Sequence, residues 1–127
     1  MAEAVLDSSA ILTVLQSEPG AQQISELMDR SLVSVVNEAE VISVLIQKGS
    51  APDHALDLVL SLPYELVDLD RKLARRAGTL WREFKPRGLS LGDRCCLALA
   101  EREGLPALTT DRRWADLSST VDIRFIR

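Results

Sequence analysis

What most narrows the fold is an alternation, kept up along the chain, of short apolar stretches rich in β-branched residues with segments of helical period. AVL before Asp7 reads as a first strand, and a helix follows from Ser8 to about Gln16. Pro19 suits the first turn of a second helix reaching about Arg30, because a helix start leaves that backbone N–H unpaired anyway. SLVSVV has the composition of a buried strand. Asn37 is then expected to open a helix that stops at Gly49, and Pro52 another that ends near Ser61. YELVDL gives a third strand, Arg71 to Phe84 a longer amphipathic helix, Ser90 to about Gly104 a further helix, and PALTT a fourth strand. After a short helical piece around Trp114, VDIRFI alternates like an edge strand. Strands separated by helices predict an α/β fold, a mostly parallel sheet with helices on both faces. The 127 residues suit one domain, 1–127, without a second core. In such sheets ligands bind beyond the carboxyl ends of the strands, where the strand order reverses.

Composition removes several kinds of chemistry. The two cysteines, Cys95 and Cys96, are adjacent in an apolar stretch, so they point about 100° apart on a helix and read as reduced core residues. The single histidine, His54, lies on a polar face and no CxxC occurs, which argues against zinc. A metal here would be held by carboxylate oxygen, which favours Mg2+ or Mn2+. The longest apolar runs, such as VISVLI and ALDLVLSL, fall short of the roughly 20 residues a membrane span needs. Residues 1–6 lack a basic start and a long apolar stretch, so the chain is expected to act in the cytoplasm. A net charge of −4 argues against coating nucleic acid through overall charge. Between Asp70 and Gly88, however, lie Arg71, Lys72, Arg75, Arg76, Arg82, Lys85 and Arg87. They form either a solvated helix face or a strip that binds a nucleic-acid backbone.

Acidic residues recur where ligands are expected. Asp7 follows the first strand, Glu40 lies one turn into the helix expected at Asn37, Asp93 one turn into the helix expected at Ser90, and Asp111 follows the fourth strand. Each has an ordinary explanation. Asp7 and Asp111 suit helix N-caps, and Asn37-x-x-Glu40 and Ser90-x-x-Asp93 have capping-box spacing. A carboxylate near a helix start gains only about 0.3–1 kcal/mol. Two carboxylates held ~4 Å apart repel by about 4 kcal/mol at an effective dielectric near 20. Their convergence at one sheet edge is costly unless a cation sits among them. Carboxylates holding Mg2+ suit phosphodiester hydrolysis by activated water. Asp7 and Asp93 are the first choices as ligands. Glu40 would ligate or position water, and Asp111 would complete the shell or hold a second ion. Ser8 and Thr109 are candidates to orient these carboxylates, and equally ordinary turn residues.

VLDSSAIL (5–12), SVVNEAEVISVL (34–45) and LSLGDRCCLALAEREGLPALTTDRRW (89–114) occur in this order and span most of the chain. Together they resemble the PIN-domain ribonucleases, specifically the VapC-type toxins of toxin–antitoxin pairs. The resemblance implies a three-layer α/β/α PIN-like fold and Mg2+- or Mn2+-dependent endonuclease action on RNA. It places the family acids on Asp7, Glu40, Asp93 and Asp111, and prefers Glu40 to nearby Glu38. Asp116 is a further acid expected at the surface. Arg94 stands where many relatives have a small residue, and would contact substrate or pair with a neighbouring acid. Relatives of this type form homodimers and are held inactive by a cognate antitoxin, which covers an apolar groove and can push a basic side chain into the acidic pocket. The helices at 8–16 and 21–30 and the segment 42–60 contain enough Leu, Ile and Val for such surfaces, though most of those side chains also suit a core.

Two rivals fit poorly. A phospho-acceptor receiver domain wants an acidic pair after the first strand and a late lysine, yet serines follow Asp7 and no lysine follows residue 85. A haloacid-type phosphatase wants a second Asp where Ser9 stands. A PIN-like binding module without catalysis, or a DNA-directed nuclease of related fold, stays open on sequence alone.

Overall fold

Among the described residues five short strands lie side by side, all parallel, in the order β3-β2-β1-β4-β5. The computed structural model describes residues 1–117 and 119–127. The strands are β1 (Ala4–Leu6), β2 (Ser31–Ser34), β3 (Glu65–Val67), β4 (Ala107–Thr109) and β5 (Ile123–Phe125). Helices α1 (Ser8–Leu15) and α2 (Ala21–Leu27) connect β1 to β2, and α3 (Val35–Gln47) and α4 (Pro52–Leu60) connect β2 to β3. Helices α5 (Arg71–Phe84) and α6 (Leu91–Glu103) return the chain to β4.

Crossovers between parallel strands keep one hand. A chain that steps outward from β1 to β3 and then returns past β1 to β4 therefore lays its helices on opposite faces. The cores follow that rule. Ala4, Leu6, Val33 and Leu108 join Ile11, Ile24, Val41 and Val59 from α1–α4 on one face. Val5, Leu32 and Ala107 join Leu73, Leu80, Phe84 and the α6 stretch Cys95–Ala100 on the other. Alternate residues of each strand thus serve different layers, as a strand with period two requires. Helix α6 is buried almost all round, and both cysteines in it are buried and free.

Two boundaries differ from the sequence reading. The second helix begins at Ala21 because Gly20 takes φ +96°, a left-handed turn, and a β-carbon there would press on the Ile126 side chain. The third helix begins at Val35, not Asn37. Ser34 ends β2 and caps the helix by accepting from Val36 N–H at 3.3 Å, so the β-branched pair Val35–Val36 is helical although its composition reads as strand. Asn37 is consequently inside the helix and forms no capping box with Glu40.

The strand order reverses between β1 and β4, leaving a crevice at their carboxyl ends. Asp7 and Asp111 stand on either side of it.

Candidate active site

Asp7 caps α1 at the end of β1. Its Oδ1 accepts from Ala10 N–H at 2.9 Å and from Ser9 Oγ at 2.7 Å, and its Oδ2 accepts from Thr109 Oγ at 2.6 Å. The residue is 1% exposed. Burial pushes its carboxyl up to about 7, against the pull of the Thr109, Ser9 and Ala10 hydrogen bonds; the nearby Asp93 charge adds to the rise. Asp93 lies at the start of α6 within a formed capping box. Its Oδ2 accepts from Ser90 N–H at 2.8 Å while its own N–H donates to Ser90 Oγ at 3.2 Å. Burial raises this carboxyl as well, and Glu40 contributes to the rise. Capping and pocket formation are the same fact at Asp93, whose helix start is turned toward the crevice.

Glu40 approaches from α3. Its Oε1 accepts from Ser8 Oγ at 2.5 Å and from Asn37 Nδ2 at 3.1 Å. Asn37 is 0% exposed and also donates to Ser8 Oγ and to the Gly92 carbonyl, each at 3.1 Å, tying α3 to α1 and α6. Gly92 is required there, since a β-carbon at that position would overlap the Glu40 carboxylate. Glu38 faces elsewhere and accepts from Tyr64 Oη at 2.6 Å.

Asp111 follows β4, and its N–H donates to Thr109 Oγ at 3.0 Å. Thr109 therefore joins Asp7 to Asp111 through one hydroxyl. Arg113 reaches back over the group. Its Nη2 donates to Asp111 Oδ2 at 2.7 Å and lies 3.4 Å from Asp93 Oδ2. Burial raises the Asp111 carboxyl, but the hydrogen bonds and charge of Arg113 outweigh it and hold the group below the usual carboxylate range.

The four predicted acids are thus brought to one edge of the sheet. Of the two hydroxyls expected to orient these carboxylates, Thr109 donates to Asp7 and Ser8 to Glu40, while Ser9, which the sequence did not single out, also holds Asp7. Asn37, Gly92 and Arg113 were missed. The polar spacing around Asn37 was visible, but it read as a cap. Arg113 stands two residues beyond Asp111, a signal that local reading attributes to a surface turn.

The basic candidates are not brought to the acids. Arg76 pairs with Glu101 through Nε at 2.8 Å and Nη2 at 2.9 Å. Glu101 lies about two turns along α6 from Asp93, so the expected strip does not converge on the site there. Arg75 is exposed and makes no hydrogen bond or ion pair among the described residues. Among the described residues Arg94 makes no hydrogen bond or ion pair with an acid; its Nη1 donates to the Ala77 carbonyl at 2.9 Å, between α5 and α6. Asp116 is exposed and pairs with Arg87 at 2.5 Å.

The donors in the crevice are all oxygen, the chemistry a hard divalent ion prefers. Asn37 Oδ1 is also buried, with no hydrogen-bond partner among the described residues. The residues fit such an ion by type. Among the described residues, though, no three acidic, His or Cys side chains converge in ligating geometry: Glu40 is turned to Ser8, and Asp111 to Arg113.

The family model for the PIN domain matches residues 4–119. The chain is a PIN domain. Over 117 residues it is 32% identical to ribonuclease VapC42 of Mycobacterium tuberculosis, covering 82% of this chain and 87% of that protein. VapC ribonuclease Mb2780c of Mycobacterium bovis matches to the same extent. DNA-bound VapBC from Salmonella typhimurium shares the PIN fold with a TM-score of 0.74 and 22% identity, over 98% of each chain. VapC20 of Mycobacterium tuberculosis, described as a Sarcin-Ricin loop cleaving toxin, does so at 0.71 and 16%, over 94% of this chain and 99% of that one. This PIN domain has the three-layer α/β/α architecture expected, with an entirely parallel sheet. Among the described residues no helix is long and apolar enough to cross a membrane.

Thr109 offers a direct check on this geometry. Thr109→Val keeps the shape but removes a hydroxyl that donates to Asp7 and accepts from Asp111. Divalent-ion affinity or activity is expected to fall about ten- to hundredfold, with a stability loss of about 1–3 kcal/mol for the unpaired buried groups. Metal titration and thermal unfolding measure the two effects. Wild-type values in both would remove Thr109 from the site.

Proposed function

We propose that this PIN domain is a VapC-type toxin, an endoribonuclease that hydrolyses RNA phosphodiesters with Mg2+ or Mn2+ and is neutralised in the cytoplasm by a cognate antitoxin. The observation that supports the reading is the nearness of Asp7, Glu40, Asp93 and Asp111 at the edge where the strand order reverses, with Asp7 and Asp93 largely desolvated. Sequence identity to named VapC ribonucleases supplies the substrate class. Asp7 and Asp93 would hold the ion, with Asp111 completing its shell or serving a second ion. Such an ion, when bound, acidifies water and offsets the charge that builds on the phosphate.

The protein side of the chemistry follows from the hydrogen bonds. Ser9 and Thr109 fix both oxygens of Asp7, so the carboxylate needs no reordering. Ser8 and Asn37 hold Glu40 by Oε1. Its Oε2 has no hydrogen bond among the described residues and is the oxygen available to orient the attacking water and take its proton. The same reading includes a homodimer; Leu56 and Leu60 on α4 and Leu66 on β3 are exposed and offer apolar surface for a second copy or the antitoxin.

The test uses purified protein with RNA and with DNA of the same sequence. RNA cleavage in Mg2+ or Mn2+, stopped by EDTA and restored by adding the ion back, is expected. Cleavage that survives EDTA would overturn the metal mechanism, and equal cutting of DNA would overturn the substrate class.

A further inference from the structure

Arg113 makes a set of contacts that reaches across the acidic crevice. Its Nε lies 3.2 Å and 3.1 Å from the two Asp111 oxygens, its Nη2 engages Asp111 at 2.7 Å and Asp93 at 3.4 Å, and its Nη1 donates to the Gly88 carbonyl at 2.8 Å. One planar fork thus spans two of the four acids. The backbone places it there: Asp111 caps a 3-10 turn, Arg112–Trp114, by accepting from Arg113 N–H at 2.9 Å, and Trp114 is 0% exposed and anchors the turn. The Arg113 side chain is itself 50% exposed, so it can leave without unpacking the core.

We propose that Arg113 is a built-in counter-cation of the acidic pocket, which neutralises Asp93 and Asp111 in the metal-free protein and yields Asp93 when a divalent ion arrives, thereby setting the affinity for that ion. The inference rests on the reading of the pocket as a divalent-metal site. A guanidinium and a metal ion at the same Asp93 oxygen repel each other, so the two compete. The grip on Asp111 is stronger than that on Asp93, with three contacts against one. Asp93 is therefore surrendered first. Arg113 is a positioning residue, acting through the carboxylates.

The experiment measures Mn2+ affinity without RNA, by titration calorimetry or by electron paramagnetic resonance of the free ion. Wild type, R113A, R113Q and R113K are compared, with Asp7→Asn as the control that weakens the site. Removing the competitor is expected to tighten Mn2+ binding about tenfold in R113A and R113Q, within the range of ordinary coupling between two ligands. R113K, with a point charge and no fork, is expected between these and wild type. The metal-free R113A protein should also melt lower than wild type, and added Mn2+ should restore it. If R113A is too unstable to purify, R113Q carries the same test with a neutral polar side chain. Unchanged or weaker Mn2+ binding in both neutral variants would overturn the proposal, since an arginine that only orients Asp111 gives that result. Wild-type protein that binds no Mn2+ sensitive to Asp7→Asn would instead overturn the metal reading, and this inference with it.

Discussion

Asp7→Asn is expected to reduce RNA cleavage on the order of a thousandfold or more while making the metal-free protein more stable than wild type near pH 8. The activity loss follows from replacing an anionic ligand by a neutral amide in the middle of the site. The gain in stability follows from burial. Asp7 is 1% exposed, and its carboxyl is pushed up to about 7 from 3.8. Between those two values the folded chain holds a proton that the unfolded chain has released. Stability attributable to this group is therefore fully present below pH 3.8, falls as pH rises toward 7, and levels off above it. The difference amounts to about 4 kcal/mol by pH 8. An asparagine retains the shape and does not ionise. Its Oδ1 accepts from Ala10 and Ser9, and its amide donates to a Thr109 hydroxyl that rotates to accept. Unfolding of wild type and variant by denaturant at pH 5 and pH 8, with EDTA present, should show the wild type losing stability and the variant holding it. Parallel pH dependence in the two proteins would contradict the buried-charge account. Retained activity in the variant would remove Asp7 from the site.

Gly92→Ala should cost about a hundredfold in cleavage, the penalty for displacing a catalytic group by around an ångström, with little change in stability. The added β-carbon overlaps the Glu40 carboxylate, which is the far end of a flexible side chain. The helix α6 gains up to about 1 kcal/mol from exchanging Gly for Ala, while Glu40 loses hydrogen bonds to Ser8 and Asn37 worth about the same. The fold is kept and Glu40 is expelled. A double-variant cycle isolates this cause: with Glu40→Gln already in place, Gly92→Ala should cost little further activity. Equal losses in both backgrounds would show that Gly92 matters for a reason other than Glu40.

Much of the site was legible locally. Strand signals placed Asp7 and Asp111, and the Ser90-x-x-Asp93 spacing placed Asp93 at a helix start, where the capping box does form. The ordinary explanation holds at that residue, which also lies near the carboxylates of Asp7 and Glu40. At Asn37 the same spacing misled. Capping depends on where the helix begins, and Ser34 starts it earlier, leaving Asn37 as a buried bridge. Ser8 and Ser9 show the limit of sequence adjacency: about 100° apart on α1, one faces Glu40 and the other Asp7. Arg94 is another case: next to Asp93 in the chain, it donates to the Ala77 carbonyl instead.

Sequence alone determined the order of strands and helices, a mostly parallel sheet, and which four acids to look for at its carboxyl edge. These follow from hydrophobic period, caps and the single hand of crossovers, which are local or topological rules. Tertiary structure alone decided which hydroxyl serves which carboxylate, that Gly92 makes room for Glu40, and that Arg113 reaches Asp93. Hydrogen bonds and close contacts change within an ångström. That precision is set by how α1, α3, α6 and the turn after β4 pack together, not by any one segment.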